Sequence, residues 1–217
     1  MESSALTALL LSLQLAGLST LILLLIGLPF AWWLSQNHSK LKVVLEAFVA
    51  LPLILPPTVL GFYLLILLGQ NSLANAGWAF SFKGLVLGSV IYSFPFVVQP
   101  LQVAFESIGK QPLEIAHTLG YSSIRRFFKV VLPLSRRGLL SAITLGFTHT
   151  LGEFGVVLMI GGNIPGKTQV ISIYIYDHVE QLQYHQANIL SLGLLIFSFV
   201  VLLALYSLNH RYRRMGI

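Results

Sequence analysis

Cysteine is absent from this 217-residue chain, which excludes a disulfide framework, a thiol nucleophile, a thiolate metal site and an iron–sulfur ligand set. Charge is scarce as well. Asp, Glu, Lys and Arg supply 9% of the residues, where soluble domains carry about one quarter, so a water-soluble globular fold is excluded. The apolar stretches do not alternate with polar residues, and strands of a membrane barrel are excluded with them. No catalytic constellation is legible either. The six histidines are scattered, none pairs with another at zinc-ligand spacing, and no serine sits in a nucleophile elbow.

Apolar residues, in contrast, make up 56% of the chain, and the mean hydropathy is +0.82. Five apolar blocks cover about 5–34, 43–69, 84–105, 138–162 and 189–208. Each is long enough to approach the roughly 20 residues that cross a bilayer as helix. The first block follows Glu2 with no preceding Lys or Arg, and it exceeds the length of a cleaved signal core, so it reads as a retained membrane helix. The second contains Pro52, Pro56 and Pro57, each lacking a backbone donor, and is expected to kink or break. The reading is an all-α integral membrane protein, a single domain over 1–217, with about five transmembrane helices, or six if the second block is a half-span and a full span.

Eleven of the thirteen Lys and Arg lie in segments 35–42 and 106–137 and in the C-terminal tail; only Lys83 and Lys167 lie in the intervening loops. The positive-inside rule then places the N-terminus outside and the C-terminus in the cytoplasm, an alternation that suits an odd number of spans. The net charge of +6 follows from this topology. No basic stripe is interleaved with base-stacking aromatics, so no nucleic-acid partner is implied.

Segment 106–137 is far longer than a simple connection between spans. Pro112 suits the first turn of a short helix ending at Leu119, and Gly120 suits the left-handed residue after it. Ser122 or Ser123 suits the cap of a second helix, in which Ile124, Phe127, Phe128 and Val131 recur at helical spacing and Pro133 closes the unit. Spacing alone leaves two readings open: a docking element with an apolar ridge for a partner protein, or an amphipathic helix lying on anionic lipid.

Glu114-Ile115-Ala116, three residues, Gly120, nine residues, then Val130-Val131-Leu132-Pro133 resembles the cytoplasmic signature of binding-protein-dependent ABC importer permeases. Ile115 replaces the first alanine and Val130 the isoleucine of the usual pattern. The stretches Leu51–Gly61, Thr150–Gly155 and Gly162–Thr168 are similar to those of molybdate permease subunits, with sulfate and tungstate permeases close behind. The resemblance implies a MetI-like permease fold with a cytoplasmic coupling-helix pair. It also implies a homodimer in a bacterial inner membrane, two ABC ATP-binding subunits, and an extracytoplasmic molybdate-binding protein. ATP and magnesium belong to the partner ATPase, this chain holding no cofactor and being no enzyme itself. Residues carried over to ATPase coupling are Glu114, Ala116, Gly120, Ser122, Ile124, Phe127, Leu132 and Pro133.

Three motifs invite other readings. Gly161–Thr168 satisfies the phosphate-cradling pattern G-x-x-x-x-G-K-[ST], but it follows a membrane helix instead of a buried strand and falls on the outer side by charge. Asn37-His38-Ser39 fits a glycosylation sequon but faces the cytoplasm. Gly84 and Gly88, four apart, suit close helix contact. Within the spans, Thr58, Thr148, His149, Thr150 and Glu153 are candidates for the translocation path or its gate, since polar groups in hydrocarbon are costly unless they face protein or water. Glu153 with His149 as an acid–base pair is the enzymatic alternative. It predicts activity without ATP or partners.

Overall fold

The computed structural model describes residues 2–37, 39–69 and 77–214; His38 of the sequon-like triplet lies outside them. Among these residues every regular element is a helix. Helix α1 (Glu2–Gln36) extends about 52 Å at 1.5 Å per residue, more than the hydrocarbon thickness. Helices α2 (Lys40–Ile54) and α3 (Pro57–Leu68) follow, then α4 (Phe82–Glu106). The segment α5 (Gln111–Thr118) and α6 (Ser123–Arg126) passes through a π turn, Phe127–Val131, into α7 (Leu132–Leu134) and α8 (Arg136–Leu151). Short α9 (Gly155–Gly161) and α10 (Ile171–Glu180) precede the long α11 (Tyr184–Arg214).

The core forms where α1, α4 and α8 pack together, with Leu15, Leu23, Val97, Val98 and Leu101 fully buried. Small residues set the approach. A Cβ on Gly146 of α8 would stand 2.6 Å from Val97 Cγ2, and one on Gly88 of α4 would stand 2.5 Å from Ile160 Cδ1 of α9. A Cβ on Gly84 would collide with the Trp78 carbonyl. The pair Gly84 and Gly88 is therefore a seat for α9 and the loop before α4, as helix-contact glycines require. A second cluster, Leu64, Leu68, Val156 and Ile160, joins α3 to α9.

Three helices, α1, α4 and α11, are long and apolar enough to span alone. The second expected block is broken at Leu55–Pro56, with α2 and α3 bent by 108°, because prolines at 56 and 57 deny the helix its donors there. Block 138–162 divides differently from the expected single span. Helix α8 ends at Leu151, three residues Gly152–Phe154 intervene, and α9 is a separate short helix. Upstream, Ser123–Leu134 meets α8 at 78°. Counting each bent pair as one span gives five.

One end of the bundle joins segment 35–42 to the start of segment 106–137. Lys42 Nζ lies 2.7 Å from Glu106 Oε1 and 3.7 Å from Glu46 Oε1, and Gln102 Nε2 donates to both carboxylates. This clamp ties the start of α2 to the end of α4. At the opposite end, the Ile171 N–H donates to Ser12 Oγ at 2.8 Å, tying α10 to the first turns of α1.

Candidate translocation path and coupling segment

Helix α5 places Pro112 in its first turn, where a missing N–H costs nothing, and Glu114 there as well, where a carboxylate favours the helix dipole. Its end is a Schellman motif. The Tyr121 N–H donates to Ala116 O at 3.0 Å, the Gly120 N–H to His117 O at 2.9 Å, and Gly120 adopts φ +78°. A Cβ at Gly120 would touch nothing within 4 Å, so the backbone angle, not crowding, calls for glycine. Ser122 is the cap of α6: its Oγ accepts from the Arg125 N–H. Ser123 instead accepts from Arg126 Nη2 at 3.1 Å.

The expected single apolar ridge is divided. Val131 is buried, and Phe127 packs edge-on against Phe105 and tilted against Trp32, at centroid distances of 6.0 and 5.9 Å. Ile124 and Phe128 stay exposed. The cause is the π turn, whose closing bond runs from the Leu132 N–H to Phe127 O. Pro133 has no N–H, and its ring crowds the carbonyl four residues back; a wider turn relieves both. On α5, Ile115 and Leu119 are also exposed, Leu119 to 69%. With Tyr121, Lys129 and Val130 they border a shallow groove floored by buried Ala116.

Inside the bundle, Ser93 Oγ lies 2.8 Å from His149 Nδ1 and 2.9 Å from Thr150 Oγ1. The His149 ring stacks on Phe96 at 3.8 Å, with Tyr92 on another side. Glu153 occupies the break between α8 and α9 and is only 4% exposed. Its backbone carbonyl accepts from Ser172 Oγ at 2.6 Å. Both of its carboxylate oxygens and the Ser89 hydroxyl beside them are buried, with no hydrogen bond of ordinary geometry to either. The two helix breaks touch each other: a Cβ on Gly155 would stand 2.7 Å from Pro57 Cβ.

A separate groove of about 560 Å³ opens between α2, α4 and α8, with Gln99, Arg137 and Ser141 among apolar residues such as Phe96 and Leu145. No acid lines it.

A family described as the binding-protein-dependent transport system inner membrane component matches residues 7–214. The chain belongs to that family. It is 55% identical over 210 residues, 93% of each chain, to the molybdenum transport system permease protein ModB of Azotobacter vinelandii. It is 35% identical over 181 residues to ModB of Escherichia coli K12, spanning 80% of this chain and 79% of that one. The sulfate transport system permease protein CysT of Salmonella typhimurium is 33% identical over 195 residues, covering 87% of this chain and 70% of its own. Among solved structures, an inward-facing form of the MetNI methionine ABC transporter superposes with a TM-score of 0.78 at 16% identity, over 97% of both chains. A bacterial ABC transporter for alginate gives 0.75 at 18% identity, over 98% of this chain and 80% of that one. The fold is that of ABC importer permeases.

Of the candidate path residues, the permease brings His149, Thr150 and Glu153 together and adds Ser89, Tyr92 and Ser93 from α4. Those three were missed in the sequence, although polar residues at 89 and 93, four apart in an apolar helix, are the signal that marks one inward face. Thr148 spends its hydroxyl on Thr144 O at 2.7 Å. Thr58 is exposed in the first turn of α3, apart from the cluster, although neighbouring Pro57 touches Gly155. No hydrogen bond links Glu153 to His149, so an acid–base pair is not assembled. The segment Gly161–Thr168 is a folded loop. Thr168 is buried, its hydroxyl donating to Gly161 O at 2.7 Å and accepting from the Ile164 N–H. Asn163 and Gln169 both donate to Asp177. Helix α9 precedes this loop, not a strand, so the phosphate-cradling architecture is not formed.

Proposed function

We propose that this permease carries molybdate through the membrane as a homodimer, with ATP hydrolysed by two partner subunits and the anion delivered by an extracytoplasmic binding protein. The observation that carries the substrate is the 55% identity, over 93% of both chains, to the Azotobacter vinelandii molybdenum permease. The charge distribution supports an outside N-terminus and a cytoplasmic C-terminus. At the cytoplasmic end, Glu114, Ala116 and Gly120 shape the α5 turn, and exposed Ile115 and Leu119 offer the ATPase an apolar contact. Ser122, Leu132 and Pro133 fix the direction of the return helix. Phe127 passes a displacement of that unit to Trp32 and Phe105, at the ends of α1 and α4.

The anion's inner route follows the groove that holds Gln99, Ser107, Arg137 and Ser141: donor groups without an acid suit a tetrahedral dianion better than the Glu153 carboxyl does. Weak contacts are expected there, since tight binding inside a path slows release. Thr58, Thr148, His149, Thr150 and Glu153 then act nearer the gate, where the breaks after α2 and α8 meet. Irregular backbone at that depth is tolerated where protein covers it.

Reconstitution with the cognate ATPase and binding protein tests the reading by ATP-driven uptake of molybdate, tungstate and sulfate. Uptake of molybdate over sulfate supports it. Sulfate uptake alone reassigns the substrate and leaves the fold in place, while uptake without ATP overturns the coupling.

A further inference from the structure

We infer that Arg137 is the residue that draws the transported oxyanion through the groove between α2, α4 and α8 toward the cytoplasm, with Gln99 and Ser141 as neutral donors on the way. The inference rests on the route proposed above, and it asks only for a tetrahedral dianion, whichever of the three is carried. The order of side chains along the groove carries it. Arg137, Ser141 and Leu145 recur every fourth residue on one face of α8, and Phe96, Gln99, Val103 and Ser107 line the α4 side. Four residues of helix rise about 6 Å. The groove is therefore apolar at Phe96 and Leu145, offers an amide and a hydroxyl one turn further on, and ends on a cation at the side that the charge distribution places in the cytoplasm.

These donors are unspent. Elsewhere in the bundle hydroxyls are taken up by their own helices: Ser12 donates to Ala8 O, Thr20 to Ala16 O, Thr144 to Leu140 O and Thr148 to Thr144 O. In the groove itself, Ser107 does the same with Ala104 O. The side chains of Gln99, Ser141 and Arg137, in contrast, make no hydrogen bond or ion pair among the described residues. Neighbouring charges are already occupied. Arg136 donates through Nε to Pro133 O at 2.8 Å. Glu106, next to Ser107, accepts from Lys42 and Gln102, and no Asp or Glu occurs between Glu114 and Glu153. Arg137 therefore keeps an uncompensated positive charge at the mouth of the groove. Its backbone is held as well, since a Cβ on the adjoining Gly138 would collide with Ala104 of α4. A guanidinium presents its N–H groups in a planar fork that matches two oxygens of one oxyanion. Its charge acts along the groove because apolar walls screen it less than water does.

The absence of cysteine from the chain allows the charge at this one position to be removed and put back. Arg137→Cys is reconstituted with the ATPase and binding protein in liposomes of phosphatidylcholine alone, and of phosphatidylcholine with phosphatidylglycerol. ATP-driven uptake of molybdate and of sulfate is measured before and after a trimethylammonium or a sulfonate methanethiosulfonate is applied on the ATP side, with the native complex treated in parallel as the baseline. Arg137→Cys is expected to lower the uptake rate on the order of tenfold, the weight of one hydrogen bond to a charged group. The cationic reagent restores most of that rate and the anionic reagent none, while Arg137→Lys keeps most of it untreated. Unchanged uptake in Arg137→Cys overturns the inference. So does equal recovery with both reagents, which would make position 137 a matter of bulk, or a loss of ATPase association that the cationic reagent does not reverse. A defect seen only with phosphatidylglycerol present also overturns it, because the arginine would then serve a lipid headgroup. A native complex that moves neither anion overturns the proposed route together with this inference.

Discussion

Gly155 lies directly against Pro57, close enough that a Cβ on Gly155 would stand 2.7 Å from the proline Cβ. That contact holds the break after α2 against the break after α8, and with it the start of α3 beside the loop that carries Glu153. Gly155→Val is expected to force the two breaks apart at a cost of about 1–3 kcal/mol. Thermal denaturation of the purified permease checks the cost, and uptake falls with it. Gly17→Val, at a site with nothing within 4 Å, serves as the control and leaves both unchanged.

Ser93 bridges His149 and Thr150, so Ser93→Ala leaves two polar groups short of a partner. The expected loss is on the order of 1 kcal/mol, the usual size for hydrogen bonds between membrane helices, read as a lower melting temperature. Ser93→Thr keeps the hydroxyl and recovers most of it.

Glu153 presents the opposite case: its carboxylate oxygens make no hydrogen bond of ordinary geometry. An amide of the same shape carries no charge to desolvate, so Glu153→Gln is expected to melt within about 1 kcal/mol of the native protein or above it. Glu153→Lys is expected to prevent stable insertion. Expression level and melting temperature in detergent distinguish the two outcomes.

Gly120→Ala puts a side chain on a residue at φ +78°, which costs about 1–2 kcal/mol and frays the end of α5. The expected result is weaker co-purification with the ATPase subunit, with Gly120→Asn closer to native because asparagine tolerates the left-handed region. Leu119→Glu places a charge on an exposed position, so it is expected to leave the melting temperature unchanged while reducing ATPase association.

Phe127→Ala removes the ring that meets both Trp32 and Phe105. Truncation of a half-buried aromatic costs about 2–3 kcal/mol, below the 3–5 of a full burial. If the ring transmits the ATPase stroke, ATP hydrolysis persists while uptake drops, and simultaneous assays of the two activities measure the split.

Segment 106–137 was legible because capping and turn chemistry are local. Pro112, Gly120 and Ser122 each state their role within four residues of chain, and α5 and α6 form where those residues put them. The division of the ridge was not legible. Phe127 and Phe128 look equivalent by spacing, and only the position of Trp32, nearly a hundred residues earlier, together with the π turn enforced by Pro133, sends one inward and the other out. The break at Gly152–Phe154 was hidden for a related reason: Gly152 and Glu153 sit in an otherwise apolar run, and hydropathy averages over three residues. In the same way, Ser89 and Ser93 of α4 became visible as a site only once α8 set His149 and Thr150 opposite them.

The π turn has a geometric effect beyond the side chains it redirects. One extra residue in a turn advances the helix by about 100° relative to an uninterrupted α-helix, so the stretch before Phe127 and the stretch after Val131 are out of phase by roughly that angle. Rewinding the turn would rotate the two stretches against each other without lengthening either. The π turn thus sets the rotational phase between the stretch that carries Ile124 and the stretch that leads into α8.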